Sequence, residues 1–412
     1  MSRSANADII VIGSGTIGTA IAYYLTKYHP GKIILIEKNS LGSGATSWAA
    51  SLINRIRTKE THIKMVLETY RAIEELEMLL GTSLGAREVG CIHIASSEQS
   101  KVYLDHLIAL SKQYSVRGEK LLPAEIQHFL PWINKKEVKS GFYMPDDLFI
   151  DGYILASSYA RMAKNLGASV IQQKEVVEIL ADNGKVIGVK LDDGSTISTQ
   201  TVIHAGGAWS NLLLTSHLVK LPMAPVRSVY WLTKPMPVLF PHSMPITFIP
   251  DAGVYTRPES GAMLFGIRDM ESKNFNPKDL PDEYNGYSFI SDEAQWKILL
   301  NEGKRFKSFF SDLFETPLIR SVSGLSTYTP DGNPIIGKSK YLDGYYAATG
   351  CNGAGIALSG GYGRLIKNMI LEEKPFVDCI DFDVDRFNDI DPFSKAFGKL
   401  CSVSRAGKRN GG

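Results

Sequence analysis

The sequence predicts a mixed α/β (α+β) fold of two or three domains, and three observations lead there. An apolar run, Ile9 to Ile12, passes through Gly13, Gly15 and Gly18 into helically spaced apolar residues and then a second apolar run, "KIILIEK". Further on, "PVRSVYWLTK", "GVYTRPE" and "AMLFGIR" have strand character with turn residues between them, whereas residues 62–80 and 98–115 carry helical apolar spacing. At 412 residues the chain is too long for one ordinary core. The first segment is Rossmann-like, and the later strands belong to a second sheet.

Composition narrows the function classes. A formal net charge of +2, with 44% hydrophobic and 21% charged residues, is that of a soluble globular chain and gives no electrostatic reason to expect nucleic acid. Cys91, Cys351, Cys379 and Cys401 form no CxxC pair, which argues against structural zinc or a disulfide framework and fits a reducing compartment. No metal site is expected. The N-terminus enters a strand pattern without a signal-peptide pattern, and no window approaches the roughly 20 apolar residues of a spanning helix. Cytoplasmic residence is the expectation, with peripheral membrane contact left open. The polar, basic ending "SVSRAGKRNGG" is expected to fray.

Taken along the chain, the opening unit has the parts of a dinucleotide cradle. Gly13 allows the tight turn, Gly15 lets backbone approach a pyrophosphate, Gly18 lets helix and strand pack closely, and Thr16 and Ile17 start the helix that faces the anion. Glu37 closes the second strand about 20 residues later, beside Lys38, where a carboxylate can accept both ribose hydroxyls and would repel a 2′-phosphate. The loop "LGSGATSWAASLINR" then supplies small residues, Ala45, Thr46, Ser47, Ala49, Ala50 and Ser51 with Leu52, against which a flat ligand can lie. A helix starting near Thr46 is expected to point further amides at the phosphates. "VVEILADNGKVIGVKLDDGSTIST" predicts three short strands joined by Asn-Gly and Asp-Gly turns. An apolar strand ends in Gly206 and Gly207, near Trp209, where chain passes close beneath a bound dinucleotide. Strand-like "GYYAATG" leads into Asn352, Gly353, Ala354, Gly355 and Ile356, a glycine-rich turn opening a helix whose N-terminus can face a ring that gains negative charge on reduction.

In their order "GSGTIG", Glu37, "GSGATSWAAS", "VIHAGGAWS", "TPDGNPIIG" and "ATGCNGAGI" resemble the D-amino-acid oxidase family of FAD-dependent oxidoreductases, most closely its glycine oxidase, sarcosine oxidase beta-subunit and amino-acid dehydrogenase branch. The resemblance runs from about residue 7 to about 372. It implies an FAD domain assembled from residues 1–80, 150–220 and 320–375 and a mostly antiparallel substrate domain from 81–149 and 221–319. Residues 376–412 would be a C-terminal extension whose last ten or so residues are disordered. It also places the backbone of Val176 and Val177 against adenine.

The activity implied is transfer of a hydride from a carbon bearing a neutral amine to the flavin, leaving an imine that water hydrolyses. Such an enzyme need only orient and desolvate the C–H bond and balance the charge of a small amino acid or amine. Tyr255 and Arg257, on a strand expected to cover the flavin, and Arg320 are the candidate substrate-facing groups, with Arg55, Arg57 and Arg268 as further arginines. The position where related glycine oxidases carry an arginine is Ser326 here. Where covalent relatives carry a cysteine this chain has Gly324, so FAD is expected to be non-covalent. Leu264 and Phe265 stand where oxidases present a lysine, which favours a dehydrogenase with a separate, unidentified electron acceptor. A partner subunit or homo-oligomer fits this reading. Two alternatives remain open: oxidation of a 2-hydroxy acid or polyol phosphate, which would need a base such as His62 or His93, and a flavin-binding subunit of a larger complex.

Overall fold

The computed structural model describes residues 5–282, 289–387 and 389–408. Strands Ile9–Ile12 and Ile33–Ile36 are buried along their whole length, as continuous apolar runs covered on both faces must be. They lie in a six-stranded sheet in the order Ser169–Ile171, Ile33–Ile36, Ile9–Ile12, Val202–His204, Tyr345–Thr349, Ile335–Lys338. The first five run parallel and the last is an antiparallel edge. Alternate side chains serve two cores. Ile9, Val11, Ile33 and Leu35 pack with helices α1 (Thr16–Tyr28) and α2 (Glu60–Leu80), while Ile10, Ile12, Ile34 and Ile36 pack with Val176, Ile179, Val186 and Val189.

Those last residues come from the expected three-strand insert, Val176–Asp182, Lys185–Leu191 and Thr196–Ser198, which folds over the second face of the sheet. Its first turn has Asn183 and Gly184 both at positive φ, 49° and 74°, the backbone that an Asn-Gly hairpin demands.

An eight-stranded sheet stands beside it, ordered Leu318–Tyr328, Ala224–Thr233, Ala262–Ile267, Val254–Glu259, Ile246–Ile249, Cys91–Ala95, Ser140–Met144, Glu119–Leu121. Its pairings are antiparallel except where Ile246–Ile249 meets Cys91–Ala95. Helix α3 (Glu98–Gln113), capped by Ser97, covers one part of it, and α4 (Pro123–Phe129) lies near its edge. Helix α5 (Gly152–Asn165), capped by Asp151, returns to the parallel sheet. Helix α6 (Asp292–Phe309) packs Phe306 edge-on to Trp132 and against Phe265, filling the core of the larger sheet.

Helix α7 (Gly355–Ile370) lies against α1 and α2. A Cβ at Gly360 would come within 2.7 Å of the Thr69 backbone, so only glycine permits this approach. Helix α8 (Lys395–Gly407) closes the chain, packing Phe397 and Cys401 on Ala224, Val226 and Tyr328.

Two expectations are corrected. No helix begins near Thr46: residues 41–48 are turns, Ser47 Oγ donates to the Gly42 carbonyl at 2.5 Å, and Thr46 Oγ1 accepts from the Thr16 amide. Side-chain bonds to backbone compete with helix here. The expected fraying from "SVSRAGKRNGG" onward also fails, because α8 extends to Gly407 and Arg405 is buried; residues 409–412 lie outside the described residues. Among the described residues no helix is long and apolar enough to cross a membrane.

Candidate active site

Strand order reverses at Ile9–Ile12, which has Ile33–Ile36 on one side and Val202–His204 on the other. In open parallel sheets the crevice beyond the carboxyl ends of such strands is where ligands bind. Gly13, Glu37, Ala205 and Gly350 follow those ends directly, and a cavity of about 800 Å³ opens there and extends to the larger sheet.

Helices α1 and α7 begin at this cavity. Neither Gly15 nor Ala354, their N-caps, supplies a side-chain cap, and neither helix has an acid in its first turn. By contrast α3, α5, α6 and α8 are capped by Ser97, Asp151, Ser291 and Ser394. In α1 the Thr16 amide already donates to Thr46 Oγ1, and the other first-turn amides and the positive end of the helix dipole make such N-termini receptive to anionic groups. Gly13, at φ 96°, could not carry a side chain: its Cβ would meet the Ala205 carbonyl at 2.5 Å.

Most residues expected at the dinucleotide line the cavity. Gly13, Gly15, Ile17, Glu37 and Lys38 do so from the first unit, and Ala45, Thr46, Ala49, Ala50, Ser51 and Leu52 from the following loop. Val176, Val177, Gly206, Gly207 and Trp209 line it from below, and residues 352–356 from the glycine-rich turn. Glu37 is held by the Ser14 amide at 2.7 Å, the Ser14 hydroxyl at 2.9 Å and the Asn39 amide at 2.9 Å. Lys38 Nζ sits 4.2 Å from the centre of the Trp209 ring. Three residues serve one layer behind. Thr16 and Ser47 make the bonds that fix the 41–48 turn, and Gly18 allows α1 to touch the first strand, since its Cβ would fall 1.9 Å from the Gly13 carbonyl. The side chain of Asn352 is likewise spent, accepting from the Thr329 amide and donating to the Gly350 carbonyl, so it braces the turn.

The substrate-facing candidates separate. Tyr255 lines the cavity, and burial pushes its phenol up to about 12. Ser326 lines it too and accepts from the Gly353 amide at 3.1 Å. Arg257 does not line it. Its guanidinium donates to the carbonyls of Ala50 and Pro258, both at 2.9 Å, and pairs with Glu259, which leaves it as a brace for the loop at residue 50. Arg320 also lies outside the cavity and is exposed, at the outer end of its strand. Leu264 and Phe265 face neighbouring cores, away from the lining.

In their place the far end of the cavity holds Arg57, His62, His93, Tyr103, Arg268 and Lys408. Burial first, then Arg57, pushes both histidines down to about 3, so both are neutral at pH 7. His93 Nδ1 lies 3.3 Å from the Tyr103 hydroxyl, while the Nε2 atoms of His62 and His93 are buried without a partner. A polar residue within the apolar run "CIHIA" is the signal that marks His93. For Lys408 the signal was the Ser394 cap followed by Phe397 and Cys401 one turn apart.

The uncapped helix ends, the cradle at Gly13 and Gly15 and the carboxylate of Glu37 fit a dinucleotide, and the long cavity fits one carrying a ring system. Known proteins agree. Residues 8–369 match the family model described as DAO, FAD dependent oxidoreductase. The chain is 28% identical over 390 residues to human mitochondrial sarcosine dehydrogenase, an overlap of 93% of this chain but only 42% of that protein. It thus spans less than half the length of this relative. It is 25% identical to glycine oxidase of Geobacillus kaustophilus (strain HTA426), covering 92% of this chain and 97% of the relative. In structure it is similar to L-proline dehydrogenase from P. horikoshii, with a TM-score of 0.81 and 23% identity over 93% of this chain and 98% of that one.

Proposed function

The chain belongs to the DAO family of FAD-dependent oxidoreductases, and on that premise we propose that it oxidises the C–N bond of an amino acid or secondary amine. What carries the reading is one continuous cavity: a dinucleotide cradle at one end, and at the other a pocket walled by Tyr255, Ser326 and a group of cations. Bound FAD would supply the hydride acceptor. The protein's part is to orient and to exclude water. Tyr255, kept protonated by its raised pKa, can donate a hydrogen bond to substrate throughout the neutral range. No ionised base is needed once the amine is neutral. The four cysteines are unpaired, which supports a reducing compartment such as the cytoplasm.

The dehydrogenase reading rested on missing a lysine, and Lys408 supplies a cation to the cavity from elsewhere in the chain. Oxygen reactivity is therefore part of the test. A second reading, oxidation of a 2-hydroxy acid, would call on His62 or His93, which line the cavity, but their Nε2 atoms are buried and burial pushes both imidazoles down to about 3, which makes them poor bases. Anaerobic bleaching of the flavin absorption against D- and L-amino acids, N-methyl amino acids, cyclic imino acids and hydroxy acids separates the two. Bleaching by one amine class, followed by readmission of air, establishes amine oxidation and its acceptor. Bleaching by hydroxy acids alone moves the assignment to the second reading, and no bleaching by any of them rejects both.

A further inference from the structure

Gly266 lies inside strand Ala262–Ile267, a setting where glycine is unfavourable, and nothing in its backbone calls for one. It is not among the glycines held at positive φ, so an alanine could adopt the same backbone. What excludes a side chain is Tyr255. That residue is paired with Gly266 across the two strands, and a Cβ on Gly266 would fall 2.1 Å from Cζ, 2.2 Å from the hydroxyl oxygen and 2.5 Å from Cε1 of the ring. The phenol therefore lies flat across the glycine. On the other side the register pairs Gly266 with Tyr230, so the two tyrosines stand on one row of the sheet, roughly 10 Å apart, with the glycine between them. Both line the cavity. They belong to one apolar cluster with Leu232, Ala262, Leu264 and Ala50, whereas Trp231 and Phe265 stack on the opposite face of the sheet.

A ring laid over a cross-strand glycine can serve the sheet alone. This one lies between the sheet and the cavity, which gives it a second consequence. With a Cβ at residue 266, Cζ would have to rise from 2.1 Å to an ordinary contact of 3.4 Å or more, and the free side of the ring is the cavity. We propose that Gly266 is a positioning residue that sets the specificity of the site: by seating the Tyr255 ring against the sheet it keeps open the space that the substituents of the substrate occupy. The inference rests on the amine-oxidation reading and narrows it to amines bulkier than glycine, because the smallest amine has no use for that space.

The test compares anaerobic rates of flavin reduction for glycine, alanine, valine and phenylalanine, in D and L forms where these exist, and for their N-methyl counterparts. Gly266→Ala is expected to slow the largest amine oxidised about tenfold or more relative to the smallest, with the loss growing with size. Tyr255→Ala, which creates no clash, should shift the same ratio the other way, and adding Gly266→Ala to it should change the ratio by less than about threefold. A purely structural glycine would lower all rates alike. Equal losses across the series overturn the proposal, as do a wild-type enzyme fastest with glycine and a Gly266→Ala effect that persists without the ring. Should Gly266→Ala fail to hold FAD, Tyr255→Ala still decides through its size ratio. If no amine bleaches the flavin, the functional reading falls and urea unfolding tests the seating by itself: the stability lost in Gly266→Ala should vanish in the Tyr255→Ala background, and additive losses would reject it.

Discussion

Three donors converge on Glu37, from Ser14 and Asn39, before any ligand arrives. A carboxylate held in this way is pre-oriented, and its remaining lone pairs are available at the cavity wall. Glu37→Ala should weaken FAD retention roughly ten- to hundredfold, about 1.4–2.8 kcal/mol, measured by flavin fluorescence after dilution; unchanged retention would remove its ribose role. Arg257 and Tyr255, two residues apart, should behave oppositely. Arg257→Ala removes bonds to two carbonyls and should lower stability by about 1–3 kcal/mol in urea unfolding, with KM unchanged. Tyr255→Phe should leave stability nearly unaltered and shift KM or kcat. Lys408 adds a pH dependence. Burial, then Arg268 and Arg57, push its ammonium from 10.5 down to about 7, with Lys59 adding in the same direction and Cys351 opposing. The folded chain therefore sheds a proton that the unfolded chain keeps between about pH 7 and 10.5, and stability from this group rises with pH across that window.

Among the elements, α8 is tied down by one buried carboxylate in addition to the packing of Phe397 and Cys401. Asp269 pairs with Arg405 at 2.6 Å and Arg227 at 3.2 Å, and all three are buried. Asp269→Ala would leave two guanidiniums uncompensated, a cost of about 3–5 kcal/mol. The expected result is faster proteolysis within 395–408 at a temperature where the rest of the chain survives; simultaneous unfolding of the whole molecule would show that α8 is no separate unit. The elements differed in how openly they showed in the sequence. The first strand, α1 and the second strand were legible because apolar periodicity, glycine spacing and burial all point one way there. The turn at 41–48 was not, since Thr46 is engaged by Thr16, 30 residues earlier, and no local pattern records that bond. Lys408 was hidden for the same reason: a basic residue beside glycine in a polar ending looks solvated until Asn352 and Arg268 are brought to it.

At the scale of the molecule, the cavity joins two sheets whose cores are otherwise separate. A dinucleotide spanning it would bind the folded state alone. Deflavinated protein should unfold at a lower temperature than holoenzyme, and FAD at about a thousand times its Kd should return about 4 kcal/mol. Acid precipitation should release the FAD into the supernatant, as expected with Gly324 in place of a cysteine, where even a Cβ would crowd Trp48 at 2.9 Å. The general plan of both sheets was open to sequence reading. Which arginine meets the cavity was not, because Arg257 lies within one strand and Arg268 just past the end of its neighbour, and what their guanidiniums meet is decided on folding.

The order of the parallel sheet has a further consequence, for synthesis. Its central strand, residues 9–12, is made long before its neighbour at 202–204 and the next strand at 345–349. At cellular elongation rates that delay is on the order of tens of seconds. For that interval Ile9 to Ile12 and Ile33 to Ile36, two bare apolar edges, must be shielded by something other than their final partners. A nascent chain arrested before residue 345 should bind chaperones and no flavin, and cofactor loading has to wait until residues 345–356 have been made.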